Sequence, residues 1–314
     1  QQLARLDDRL HAARQALAAA EPQIAAAQQA WEASGRSTIQ NGMEPQVAGR
    51  GLTNHFPLEA LHPPAKLERG RLTFDSGIIG DAPTFDGGST LAVGPAGSIQ
   101  CQTRSSVSFW LKPEGKQGVI LSQQSANTRR PGLAVELADG RLQFFIITRW
   151  ISGVGAVETA QPLEPGRWVH VCLTNDGSQS TRGMQIYLDG RRAETRTLYN
   201  TNSNTGGTEK NAVLRLGGGV HGQNFQGQVD DLKYYNRTLW DDEIALLAVP
   251  ESVATLRHKP QDERTAAQQD KLRAWFLEHA APEPLRKLAA DLETARTARL
   301  KFWDSLPTTM VMEE

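Results

Sequence analysis

The stretch QGQVDDLKYYNRTLWDDEIALLA, residues 226–248, decides the fold. Val229, Leu232 and the pair Tyr234/Tyr235 are β-formers in a short run that alternates with polar residues, which predicts a strand. The chain then turns at Asn236-Arg237. A short helix is predicted next, because Asp241, Asp242 and Glu243 crowd a first turn where the helix macrodipole favours negative charge. A strand running into a short, acid-started helix closes a two-sheet β-sandwich. Outward from it, strand candidates recur at all-β spacing: 52–58, 71–75, 83–86, 90–93, 106–113, 118–123, 132–138, 141–148, 155–159, 168–174, 184–189 and 213–217. Val107, Phe109 and Leu111 share one face, as do Val169, Val171 and Leu173. Asp139-Gly140 and Asp189-Gly190 predict tight hairpin turns. Residues 195–212 read as a long polar loop, and a loop of that length is usually functional or disordered.

Three further segments stand in order before the closing one: SVSFWLKP at 106–113, PGRWVHVCLTND at 165–176 and MQIYLDG at 184–190. With residues 226–248 they resemble the laminin-G-like, concanavalin A-like jelly rolls. The resemblance implies a mainly β fold, a concanavalin A-like two-sheet jelly-roll sandwich. It makes Trp110 and Trp168 structural. It says little about ligand, because one fold hosts many functions.

Helices are expected on both sides of the sandwich. Leu3, Leu6, Leu10, Ala13, Leu17, Ala20, Ile24, Ala27 and Trp31 fall three and four apart, a heptad seam over residues 1–34. Pro22 predicts a kink or break near residues 19–21. Such a stripe needs a partner. Residues 262–281 and 284–305 are helical by composition, the second carrying Leu285, Leu288, Leu292, Ala295, Leu300 and Trp303. The N- and C-terminal helices are therefore expected to form an antiparallel coiled-coil stalk. The expected order is a stalk helix at 1–34, a Ser/Gly/Asn-rich linker at 35–51, the sandwich at 52–249, C-terminal helices at 250–306, and a lead-in to a further domain at 307–314. The chain starts and stops inside patterned sequence, so it reads as a piece of a longer protein.

The totals exclude several classes. A formal net charge of −1 over 314 residues gives no argument for nucleic acid or an anionic membrane surface. No apolar run approaches the ~20 residues of a membrane span. Cys101 and Cys172 allow one disulfide or none, at a spacing that is no metal pattern; two free, partly buried thiols are the plainer reading. Glycosidases on this type of sandwich set paired acids on one strand, because two carboxylates must flank the scissile bond. No segment has that spacing; Glu136 and Asp139 come nearest and straddle a turn. Other catalytic signatures are missing too, so the chain is expected not to be an enzyme.

Two ligand chemistries stay open. Calcium wants several hard oxygens, and the resemblance points to Asp75, Asp86 and Asp230 at the sandwich rim, with Glu59 beside them. Against it, Asp86 can cap its own Asp-Gly turn and Asp230 can face solvent. Carbohydrate sites stack an aromatic ring on a sugar and surround it with polar donors. Candidates are Arg149-Trp150 at the end of an apolar run, Tyr199 and Asn200, Asn127 and Arg129 with Arg130, and His221 and Asn224. Against it, Trp150 can be plain packing and the loops merely solvated. His170, between Val169 and Val171, faces away from the core and reads as a structural histidine.

The tail LPTTMVMEE at 306–314, after the helical run 291–305, is similar to the lead-in of the C-terminal domain of large planctomycetal proteins that join a c-type cytochrome domain to domains of unknown function. That resemblance implies an exported protein acting on or docking to polysaccharide, with any haem outside this chain. The favoured expectation is a non-catalytic recognition module for polysaccharide. The alternative is a structural spacer or a docking element for neighbouring domains of the parent.

Overall fold

The closing strand sits inside a sheet and organises it. In the computed structural model, which describes residues 1–35, 44–201, 207–209 and 212–306, the strands in chain order are as follows. The first eight are β1 (Leu52–Phe56), β2 (Lys66–Arg69), β3 (Thr73–Ser76), β4 (Asp81–Asp86), β5 (Thr90–Pro95), β6 (Arg104–Pro113), β7 (Gly118–Gln124) and β8 (Gly132–Ala138). The next eight are β9 (Arg141–Arg149), β10 (Gly153–Thr159), β11 (Val169–Asp176), β12 (Met184–Leu188), β13 (Arg191–Arg192), β14 (Thr195–Asn200), β15 (Val213–Leu216) and β16 (Gln226–Tyr235). The 35–51 linker, the 195–212 loop and the 307–314 tail lie partly or wholly outside the described residues.

One antiparallel sheet runs β13-β12-β11-β6-β16-β4-β3, with β1 also paired to β16; the other runs β14-β10-β9-β8-β7-β15-β5-β2. This is the two-sheet jelly roll. Between the sheets lie Phe109, Leu111, Val171, Leu173, Val229, Leu232 and Tyr234 from the first, against Ile120, Leu133, Val135, Phe144, Ile146 and Leu216 from the second. Alternation along each strand sends these residues inward. Both Asp-Gly hairpins are present: Asp139 and Gly140 have φ of 51° and 78°, Asp189 and Gly190 of 48° and 76°, the left-handed pair that matches strand twist. Residues 195–200 are a strand, not the start of a loop: Thr195–Asn200 pairs with β10 and extends the second sheet by one edge.

A helix α3 (Asp241–Leu247), numbered below with its fellows, follows β16 and opens on Asp241, Asp242 and Glu243, as its first-turn acids predict. It packs Ile244 and Leu247 with Leu239 on the outer face of the first sheet, over Cys172, Tyr187 and Tyr235. Arg237 clamps Glu243 through two 2.6 Å bonds, and Tyr187 donates to Asp241 at 2.8 Å. Neither cysteine is in a disulfide, and both are buried. Cys101 belongs to the core between the sheets and Cys172 to the outer-face cluster, so they lie on opposite sides of a sheet. His170, also on the outer face, meets Ser108 at 2.9 Å and the edge of Trp110.

The chain divides into two compact units, Ala48–Pro250 and the helices drawn from both ends, Gln1–Val47 with Glu251–Glu314. In the helical unit the first helix breaks at Ala20, where Pro22 predicts it: α1 (Gln2–Ala19) is followed by α2 (Glu21–Ala33). Then come α4 (Val253–His258), α5 (Ala266–His279) and α6 (Glu283–Asp304). Only α1 pairs with α6. Asp7 meets Arg299 at 2.5 Å while Ala16 and Leu288 line one cleft, so the two run antiparallel. Beyond the break α2 turns to α5: Trp31 stacks on Trp275 with ring centroids 5.5 Å apart, under the Arg257 guanidinium. The single heptad seam expected over 1–34 is thus two shorter contacts, because the break turns the second half away. Leu10 is the buried residue of α1, and Leu285 and Ala295 are those of α6.

Gly217 tests the sandwich. Its φ is +73°, and a Cβ there would lie 1.9 Å from the Phe85 ring. Gly217→Ala is expected to cost about 2–4 kcal/mol through strain and overpacking, lowering the melting temperature by roughly 5–10 °C. An unchanged melting temperature would contradict this packing.

Candidate functional site

The second sheet is apolar on both faces at one end. Along β9, Phe144 and Ile146 point into the core, while Phe145 and Ile147 point outward. With Ala134, Val154 and Ala156 they form an outer-face cluster against which Trp150 and Leu198 pack. The unbroken apolar run 144–147 is the sequence signal for a strand covered on both sides. Phe145 and Leu198 were missed as site-building residues because apolar side chains read as core by default.

Three loops meet over that cluster. Asn127 accepts the backbone N–H groups of Arg129 and Arg130 at 2.9 and 3.2 Å, and donates to Ser125 and Glu209 at 2.9 and 3.1 Å. Asn127 is thus the brace of its loop. The Arg129 carbonyl accepts the Trp150 N–H at 2.7 Å, tying this loop to the β9–β10 turn. Thr201 donates to the Ile151 carbonyl at 3.2 Å and accepts from Val154 N–H at 3.0 Å, tying the end of β14 to the same turn. The result brings Trp150 and Tyr199 to 6.4 Å between ring centroids. Arg130 sits over the Trp150 ring at 5.1 Å. Trp150 is half-buried, and Tyr199 is 47% exposed. Arg129 and Arg149 are exposed.

His221 joins the edge of this group. Burial, and then the Arg130 charge, hold its ring below the usual histidine range, so it is neutral at pH 7; its Nε2 is buried without a hydrogen-bond partner. Two of the sequence candidates serve structure instead. Asn200 accepts the Thr181 N–H at 3.2 Å, and Asn224 lies beside Gly218 and donates to the Ser89 carbonyl at 3.5 Å. Neither joins the aromatic pair, because alternation and loop path aim them elsewhere.

Further along the same outer face lies a polar row. Glu136 is opposite Gln143, which is opposite Glu158. Gln143 donates to Glu158 at 3.0 Å, and Arg196 approaches Glu158 at 3.9 Å. Burial raises the Glu136 carboxyl. Two strand spacings separate the backbones of the two glutamates, about 9.6 Å. Asp139, the sequence partner suggested for Glu136, instead accepts from Gln117 at 2.8 Å.

The three candidate calcium ligands do not form one site. Asp86 is tied to its own turn, accepting from Gly88 N–H at 2.8 Å and Ser89 at 3.0 Å, and these bonds lower its pKa. It pairs with Gln226, four residues along β16 from Asp230, which is about 13 Å. Asp75 is exposed and bound by Thr84 at 2.6 Å. Asp230 is fully buried rather than solvent-facing: Oδ2 accepts Ile78 and Ile79 N–H at 3.0 and 2.9 Å, while Oδ1 has no partner. Glu59, exposed, lies by Gly80 of the same turn. Among the described residues no group of three or more His, Cys, Asp or Glu side chains could hold a metal ion. Calcium needs six to eight oxygens, and this donor set does not fit it. The neighbouring Asp231 is buried against its charge, yet His55 at 2.7 Å and Lys233 hold its carboxyl below the usual range.

The family model of laminin-G type described as the concanavalin A-like lectin/glucanases superfamily matches residues 85–245, slightly over half of the chain. No curated protein matches the sequence. Among solved structures, domain 4 of AbnA, a GH43 extracellular arabinanase from Geobacillus stearothermophilus, solved with arabinotriose, is 21% identical. The match covers 63% of this chain and 98% of that one at a TM-score of 0.49. The binding domain of Paraclostridial Mosquitocidal Protein 1 is 15% identical, covering 59% of this chain and 47% of that one at 0.44. The botulinum neurotoxin serotype G binding domain is 12% identical, covering 59% and 46% at 0.45.

Two measurements check these assignments. Burial pushes the Asp230 carboxyl up to about 6, with the Ile79 and Ile78 amides pulling the other way. A carboxyl raised above its unfolded value near 3.9 stabilises the fold below that value, and the gain is lost as pH rises through about 6. Asp230→Asn keeps an acceptor for both amides, so its melting temperature relative to the parent chain should rise by a few degrees between pH 5 and pH 8. A difference that is constant with pH contradicts the shift. Thermal scans with calcium and with EDTA should coincide; a midpoint raised by calcium would reveal a site these donors do not make.

Proposed function

We propose that this chain, which belongs to the concanavalin A-like lectin/glucanases superfamily, is a non-catalytic recognition module for carbohydrate. The observation that carries the reading is the convergence of Tyr199 on Trp150 at one rim of the sandwich, ring centroids 6.4 Å apart, with Arg130 over the indole and Arg129 and Arg149 exposed on the adjoining loop and strand end. An exposed ring held by a half-buried one, with planar polar donors nearby, is what a sugar needs: its C–H face stacks and its oxygens accept. Tyr199 is the platform. Trp150 holds it from below and takes its own support from Phe145 and Leu198. The work of such a module lies in a larger, exported, multidomain protein, with polysaccharide or neighbouring domains as partners.

One observation favours a second reading, glycoside hydrolysis. Glu136 and Glu158 flank Gln143 on one face at about 9.6 Å between backbones, close to the upper limit for an inverting pair. Against it, Glu158 is already held by Gln143 and Arg196.

A glycan array separates the readings. The chain should retain a subset of glycans, and Tyr199→Ala and Trp150→Ala should each reduce retention at least tenfold. Silence across the array, with capture of a domain of the parent protein, supports a spacer or docking element instead. Release of new reducing ends that Glu136→Gln abolishes would replace binding with hydrolysis.

A further inference from the structure

We infer that the rim selects anionic sugars, those bearing carboxylate or sulfate groups; this rests on the carbohydrate reading above. Three arginines lie on the segments that carry one aromatic pair, and one of them, Arg130, sits over its indole. Arg129 and Arg130 come from the Asn127-braced loop, and Arg149 ends β9, one residue before Trp150. The Arg129 carbonyl bonds to the Trp150 amide, so the backbones carrying all three arginines are in direct contact. Arg149 is exposed at the end of β9, past the irregularity in its pairing with β10.

The three guanidinium groups have no carboxylate within ion-pair distance among the described residues. The acid nearest in the loop network, Glu209, is engaged by Asn127. Glu136 and Glu158 lie level with Gln143, six residues down β9 from Arg149, about 20 Å away. Three arginines against the one carboxylate of Glu209 give the rim a local excess of positive charge among the described residues, although the chain as a whole carries a formal net charge of only −1.

The stacking geometry shows what that charge is for. Trp150 packs one side on the outer-face cluster and carries the Arg130 guanidinium at 5.1 Å from its ring centroid. Its ring is covered, so it is not the surface a sugar stacks on. It holds a planar cation in one orientation, with the N–H edge free to bond. A guanidinium fixed on an indole, with two exposed arginines on the adjoining backbone, suits the planar, bidentate oxygens of a carboxylate or the oxygens of a sulfate ester. Tyr199 supplies the open ring for the pyranose or furanose face.

The test uses the whole chain and three probes: a polygalacturonate oligosaccharide, its carboxyl-reduced neutral counterpart, and a sulfated galactan oligosaccharide, each titrated at 50 and 500 mM NaCl. At least one anionic probe should bind ten times or more tightly than the neutral one, weaken at high salt, and lose roughly five- to tenfold in affinity in Arg129→Gln/Arg149→Gln. Which anionic probe binds distinguishes carboxylate from sulfate. Both substitutions lie at exposed positions, and an unchanged melting temperature confirms that the fold is intact. Equal binding of the neutral and anionic probes, lost in Tyr199→Ala but not in the arginine variant, would overturn the charge selection and leave the carbohydrate reading standing. Binding of a random-sequence DNA duplex as tight as that of the best sugar would also overturn it, by showing a general affinity for anions. No binding of any probe, with a silent array, would remove both.

Discussion

The structure depends on one strand being apolar on both faces. Residues 144–147 of β9 bury Phe144 and Ile146 between the sheets and Phe145 and Ile147 outside them. The inner pair joins the core that holds the sandwich together. The outer pair makes the floor on which Trp150 rests, and Trp150 in turn sets Tyr199 and Arg130. Each fully buried side chain of this kind contributes about 1.5–3 kcal/mol, so the fold itself supplies the rigidity of the rim. A binding surface built on strand ends loses little entropy when it is occupied.

The first sheet does a different job. β16 lies between β6 and β4 and also carries β1, so its residues are committed on both sides. A bulge between Asp230 and Lys233, with Asp231 at φ +50°, lets the strand serve different partners along its length. Of the acids this strand buries, Asp231 is held by His55 and Lys233, while Asp230 has two amides on Oδ2 and no partner on Oδ1. The outer face is then closed by α3 through the Arg237–Glu243 clamp.

Much of the sandwich was legible in the sequence, because period-two alternation and Asp-Gly turns are local signals. The strand Thr195–Asn200 was not: four of its six residues are Thr, Arg or Asn, and its partner β10 is distant in sequence. The break before Pro22 was legible, but its consequence was not, since composition cannot say which helix receives the second half. Of the candidate residues, Trp150 and Tyr199 come together, with Arg130 over the indole, and Asn127 holds one loop in place. Asn200 and Asn224 were misjudged for one physical reason: a loop asparagine bonds to backbone as readily as to a ligand. The acids failed likewise, Asp86 being consumed by its own turn.

The claim that the β9–β10 rim is the binding surface is tested most directly by mapping backbone amide and indole shifts during titration of the full chain with a retained oligosaccharide. Shifts should concentrate at residues 127–130, 149–153, 199–201 and 221, with the Trp150 indole among them. A set of shifts centred on the outer face of the first sheet, or on the helices, would contradict the account.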